Sequence, residues 1–190
     1  IPHLSQNINL LASGIRQRYS PFTVSKIARH VLPCRQILRS RQIMADSVEL
    51  QKIVIEGADA GAHTLITGGV HGDEYEPMSA IRRLAAELPA EQISGRLTLV
   101  PVVNESAYVL KQRCGADDLD LARICPGKAD GSITERTANS LSELIESADY
   151  YIDLHTGGQI CQVLPFSGYS LHADAKILEM QRAMARAFNL

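Results

Sequence analysis

The chain has 190 residues, 45% of them hydrophobic and 21% charged, with a formal net charge of −2. That length suits one domain with a sizeable core, and the balance of apolar and charged residues excludes a disordered chain. No apolar run approaches the roughly 20 residues of a membrane span, and with tryptophan absent a stacking platform for single-stranded nucleic acid is not expected.

Charge is distributed unevenly. Residues 1–45 carry seven basic residues and no acidic one, whereas from Asp46 onward twelve basic residues face twenty-one acidic ones. The basic N-terminal extension, 1–44, has three readings: an organelle transit peptide, an over-extended frame whose true start is Met44, or a short basic arm. All three place the folded domain at 45–190. The acidic remainder argues against nucleic acid and anionic membranes as partners. Cys34, Cys114, Cys125 and Cys161 are widely spaced, without a CxxC pair. They read as free thiols in a reducing compartment, so the expected location is cytoplasmic, or an organelle if the extension is a transit peptide.

Residues 50–56 are apolar and β-branched enough for a strand. A Gly/Asp-rich stretch, 57–61, separates them from a second strand-like run, 63–67, and the pair predicts a hairpin. His63 reads as an exposed or hydrogen-bonded histidine rather than a ligand. The second strand ends in Gly68-Gly69-Val70-His71-Gly72-Asp73-Glu74, a tight turn whose glycines permit sharp bending and close approach. Residues 77–88 then predict a helix, with Met78, Ile81, Leu84, Ala85 and Leu88 as its apolar stripe and Pro77 at its first position. Residues 97–103 predict a strand buried on both faces, although Pro101 argues against a central place.

From 104 to 131 the pattern is irregular and polar, which marks a functional loop. Ser132 and Glu135 match a capping box opening another helix. Residues 150–155 form a further strand-like run, ending in Asp153-Leu154-His155 and then Gly157-Gly158. Residues 160–164 predict another strand. Residues 173–188 predict an amphipathic helix with Ile177, Met180, Met184 and Phe188 on its apolar side.

Two strand ends thus each deliver a ligand-type residue beside glycines. His71 and Glu74 are separated by two residues, and His155 lies far downstream. This short-plus-long spacing suits a catalytic Zn²⁺ with three protein ligands and an open fourth position. Asp153, two residues before His155 on one strand face, is read as the outer partner of that imidazole, with a helix cap or surface acid as the alternatives.

GGVHGDEYEP, VPVVNESAY, Arg113 followed by DLDLARICPG, and YYIDLHTGG occur in that order. Together they resemble the succinylglutamate desuccinylase/aspartoacylase family, a relative of the zinc carboxypeptidases. The resemblance implies an α/β fold with a mixed, mostly parallel central sheet flanked by helices. It implies that His71, Glu74 and His155 bind zinc, that Arg113 polarises the scissile carbonyl or stabilises its oxyanion, and that Arg123 holds a substrate carboxylate. From the residues alone, both arginines read rather as loop salt bridges to neighbouring aspartates.

Two departures stand out. Where the family commonly has Asp-Leu-Asn-Arg, this chain has Asp120-Leu121-Ala122-Arg123, which bears on substrate selection. The downstream glutamate that activates water in the family has no counterpart before Leu190, and its small C-terminal β domain is not seen, so the domain is expected to be truncated. Glu179 is explained by its helical pattern. The expected activity is zinc-dependent hydrolysis of the amide of an N-acyl amino acid or a similar small carboxylated amide. A zinc carboxypeptidase acting on peptides and a zinc-binding but inactive fragment are the rivals.

Overall fold

A computed structural model describes residues 48–189; the basic extension 1–44 lies outside them. Four strands, β1 (Ile53–Glu56), β2 (Asp59–Thr67), β3 (Ser94–Val100) and β4 (Tyr150–Asp153), form one sheet in the order β1-β3-β2-β4. β2 runs parallel to both β3 and β4, and only the β1–β3 pair is antiparallel. The sheet is therefore mixed and mostly parallel, as the motifs imply.

The expected hairpin of the first two strands does not form, because β3 lies between them. Gly57 and Gly61 make this possible. Gly57 N donates to Gly95 O at 2.7 Å. A Cβ on Gly57 would stand 2.2 Å from Ile93 O, and one on Gly61 would stand 2.8 Å from Gly95 N. The glycine-rich stretch thus serves close backbone approach rather than a two-strand turn. β3 is central despite Pro101, which lies just past its last residue, where the missing N–H breaks no ladder bond.

α1 (Tyr75–Glu87) crosses from β2 to the parallel β3, the connection that parallel pairing requires. Pro77 occupies its third position rather than its first. The substitution costs nothing there, since the first four helical N–H groups have no intrahelical partner. Met78 and Ile81 are buried, and Ile81 joins Ile66, Ile93, Leu97 and Leu99 on one face of the sheet. The opposite face packs Leu65, Val70 and Val100 against Leu121, Ala138 and Leu141. Leu65 and Ile66 thus enter opposite cores, the alternation expected of a strand covered on both sides. Each such buried aliphatic side chain contributes about 1.5–3 kcal/mol.

The irregular stretch after β3 contains two short helices, α2 (Glu105–Leu110) and α3 (Leu121–Ile124). α4 (Ile133–Glu146) follows with the expected capping box: the Ser132 side chain accepts from Glu135 N, and Glu135 accepts from Ser132 N. The loop before α3 is anchored by Asp117, which accepts hydrogen bonds from the Thr134 backbone and hydroxyl and from Leu119 N. Burial opposes ionisation of Asp117, but these donors and Ser132 outweigh it and lower its pKa to about 2. Its folded-state pKa lies below the unfolded value of about 3.9. Its contribution is therefore complete above about pH 4 and lost as pH falls towards 2. Asp117→Asn is expected to destabilise the chain by about 1 kcal/mol at pH 6 after allowance for solvent screening. In denaturant titrations that difference should vanish near pH 2.

After β4 the expected strand at 160–164 is absent; the segment 161–172 runs without regular structure. Ile160, Leu164, Phe166 and Leu171 are exposed, so nothing fixes them in a sheet register. α5 (Ala175–Ala187) closes the described chain, capped by the Asp174 side chain, with no fully buried residue. Among the described residues, no helix is long and apolar enough to cross a membrane.

The turn between β2 and α1 is compressed against α2. Gly69 adopts φ 65, and a Cβ on Gly72 would meet the Ala107 carbonyl carbon at 2.0 Å. Backbone cannot yield as a flexible side chain can. Gly72→Ala should lower stability by at least about 2 kcal/mol, read as a shift in the denaturation midpoint.

Candidate metal centre

β2 and β4 are neighbours, yet the chain leaves β2 for β3 on one side and reaches β4 on the other. The crevice beyond their carboxyl ends is a topological switch point, where open α/β sheets bind ligands. His71 and Glu74 follow β2, and His155 follows β4 by two residues. Backbone bonds align the loops: Leu154 N donates to Thr67 O, Val103 N to Gly68 O, and Asn104 N to Gly69 O. Asn104 also caps α2 through Ala107 N.

The three residues come together. One potential ligand atom from each of His71, Glu74 and His155 lies within 4.8 Å of the others. Nδ1 of His71 is 2.8 Å from Glu74 Oε1, and Nδ1 of His155 is 3.1 Å from Glu74 Oε2. His71 and Glu74 are buried, each 3% exposed. Thr156 N donates to Glu74 Oε2 at 2.8 Å, fixing the carboxylate to the loop that carries His155.

The far nitrogens decide what this cluster can hold. Nε2 of His155 is 2.6 Å from Asp153 Oδ2, and Nε2 of His71 is 3.1 Å from Asp120 Oδ1. A carboxylate only accepts, so each aspartate suits a proton on Nε2 just as Glu74 suits one on Nδ1. A divalent cation between the two Nδ1 atoms and Glu74 would take the place of the Nδ1 protons and leave each Nε2–H to its aspartate. Three electron-pair donors converging in a buried site are what a divalent cation relieves, and two carboxylate-backed histidines plus a glutamate fit Zn²⁺.

Asp120 is the residue that the sequence reading missed. It lies 49 positions from His71, and its place at the N-cap of α3, accepting from Ala122 N, disguises it as an ordinary cap. Burial disfavours its charged form, but hydrogen bonds from His71 and Arg113 prevail and hold its pKa below the usual carboxylate range. At His155, the hydrogen bond to Asp153 raises the imidazole above its ordinary value against the opposing effect of burial.

Arg113 reaches the same cluster. Its Nε and Nη2 donate to Asp120 Oδ2, while Nη1 stands 3.9 Å from Glu74 Oε1. The salt bridge to an aspartate and the place beside the cluster therefore coexist. Arg123 is exposed on α3, three residues beyond Asp120, and no ion pair holds it among the described residues. Glu179 is exposed on α5, 3.9 Å from both Arg182 and Arg186.

Asp153 is itself supported: Thr67 Oγ1 lies 2.7 Å from Asp153 Oδ1. The Tyr151 hydroxyl lies 3.1 Å from the same Thr67 oxygen. Burial pushes the Tyr151 phenol far above its usual range, so it stays protonated.

Comparison with known proteins points the same way. The family described as "Succinylglutamate desuccinylase/Aspartoacylase catalytic domain" matches residues 60–190. N-alpha-acetyl-L-2,4-diaminobutyric acid deacetylase of Halomonas elongata is 38% identical over 132 residues, covering 67% of this chain and 38% of the relative. The crystal structure of a succinylglutamate desuccinylase/aspartoacylase from Rhodobacter sphaeroides superposes with TM-score 0.67 at 34% identity, over 73% of this chain and 43% of that one. A succinylglutamate desuccinylase from Silicibacter sp. TM1040 gives TM-score 0.64 at 37% identity, over 72% and 41%. The chain thus spans about two fifths of the length of these relatives.

Proposed function

The chain belongs to the succinylglutamate desuccinylase/aspartoacylase family, and from that premise we propose that it carries the metal-binding part of an enzyme hydrolysing the amide bond of a small N-acyl amino acid. The observation that carries this reading is the convergence of His71, Glu74 and His155 with both Nδ1 atoms turned towards one carboxylate. These three residues would hold Zn²⁺. When bound, Zn²⁺ lowers the pKa of water towards about 7 and polarises a carbonyl.

The chain's own groups supply the rest. With the ion in place, Asp120 and Asp153 would each accept from Nε2–H and so hold the two imidazoles with Nδ1 towards it. Arg113 has two of its nitrogens occupied by Asp120, and Nη1 remains beside Glu74. That free donor would meet the oxygen of the scissile carbonyl as it gains charge. Arg123, exposed and unpaired among the described residues, would receive the substrate carboxylate through its planar fork. Ala122, between Asp120 and Arg123, offers no side-chain hydrogen bond, so more of the substrate selection would fall to Arg123.

The full-length protein, supplied with zinc, should release a free amine from N-acetyl-diaminobutyrate, N-succinylglutamate or N-acetylaspartate. Release of C-terminal amino acids from dipeptides instead would favour the carboxypeptidase reading. Stoichiometric zinc without turnover of either substrate class would favour a binding module.

A further inference from the structure

Thr67 is the last residue of β2, and it is completely buried. The parallel register of β2 and β4 sets it opposite Asp153. A hydroxyl at such a position is costly to bury unless it is hydrogen-bonded, and valine would fill the same volume without that cost. The Thr67 hydroxyl has two close polar neighbours, Asp153 Oδ1 at 2.7 Å and the Tyr151 hydroxyl at 3.1 Å. It has one proton to give. A carboxylate oxygen accepts, so the Thr67 proton goes to Asp153, and the Tyr151 hydroxyl, in hydrogen-bond contact with both, donates into the pair.

Asp153 is thereby tied at Oδ1 to the sheet, while its Oδ2 meets His155 Nε2 at 2.6 Å. A carboxylate free to rotate could turn either oxygen, or neither, towards the ring. One locked by the neighbouring strand presents Oδ2 in a single direction and demands an N–H at Nε2. The remaining nitrogen, Nδ1, stands 3.1 Å from Glu74, a second acceptor, and the shorter contact to Asp153 decides where the single proton sits. Thr67 reaches neither His155 nor Glu74 itself.

We infer that Thr67 is a positioning residue, which acts through Asp153 to fix the Nε2–H tautomer of His155 and so presents Nδ1 to a divalent cation. This rests on the metal reading above and extends it to a residue outside every motif of the site.

The test compares wild type, Thr67→Val and Thr67→Ser in the full-length protein, with zinc as the probe. Zinc affinity is measured by competition with a chromogenic chelator. The tautomer is read from the ¹⁵N shifts of His155 in the metal-free protein, at a pH where the ring is neutral. Thr67→Val is expected to weaken zinc binding about tenfold, in the range for removal of a group supporting a ligand, and to move the His155 signals towards a tautomer mixture. Thr67→Ser, which keeps the hydroxyl, should return both readings close to wild type. Wild-type zinc affinity and unshifted His155 signals in Thr67→Val would overturn the inference. So would an Nδ1–H tautomer in the wild-type protein, a measurement that needs no variant to fold. Wild-type protein with the Nε2–H tautomer in place but no affinity for zinc would overturn the metal reading, and with it the cation half of this inference.

Discussion

Glu74→Ala is expected to empty the metal centre. Wild-type protein equilibrated with zinc and dialysed should retain about one ion per chain, and the variant should retain close to none. Glu74 contributes more than one contact. Its two oxygens face the two Nδ1 atoms, and Oε2 also takes the Thr156 N–H. Removing it takes away a ligand and unties the loop that carries His155. Loss of a group that merely supports a ligand already costs 10–100-fold in affinity, so loss of this one should cost more than about 100-fold. His71→Ala should do the same, because His71 is buried and its Nε2 is already committed to Asp120. Bound metal measured by elemental mass spectrometry, beside a circular dichroism spectrum that retains its helical signal, checks both variants. Stoichiometric zinc in either would remove the basis of the hydrolase proposal.

Arg113→Ala should leave zinc in place and lower kcat. A preorganised donor facing a developing oxyanion is worth about 10²–10³ in rate, and Nη1 of Arg113 is the charged donor left beside the cluster once Nε and Nη2 are held by Asp120. The effect would belong in kcat more than in KM, since the charge that Nη1 would meet exists only in the transition state. Arg113→Lys should recover little, because a lysine cannot hold Asp120 through two nitrogens while a third reaches the site. Full-length protein assayed on an N-acyl amino acid gives both constants. A kcat within a factor of about two of wild type in Arg113→Ala would sink the oxyanion role. A raised KM with unchanged kcat would make Arg113 a substrate-binding residue instead.

Much of this centre is legible without coordinates because its chemistry is local. His71 and Glu74 are three positions apart, on a turn that the glycines announce, and His155 lies two residues past Asp153, the last residue of β4. Such contacts follow from the chain's own periodicity. The Ser132–Glu135 capping box is legible for the same reason. The misplaced elements are those whose fate depends on a remote neighbour. The stretch 57–61 carries every local mark of a hairpin turn, but its glycines make room for β3, more than thirty residues downstream. Residues 160–164 have strand composition and no strand to pair with among the described residues.

The amino-acid sequence by itself singled out three candidate ligands, their order along the chain and the α/β class, because strand periodicity, glycine turns and ligand spacing are properties of short segments. Only the tertiary structure decided which carboxylate supports His71 and what anchors Asp153. Asp120 meets His71 across 49 residues and Thr67 meets Asp153 across 86. Those pairings arise from sheet register and loop packing, and hydrogen bonds between such distant residues leave no periodic trace in the chain that forms them.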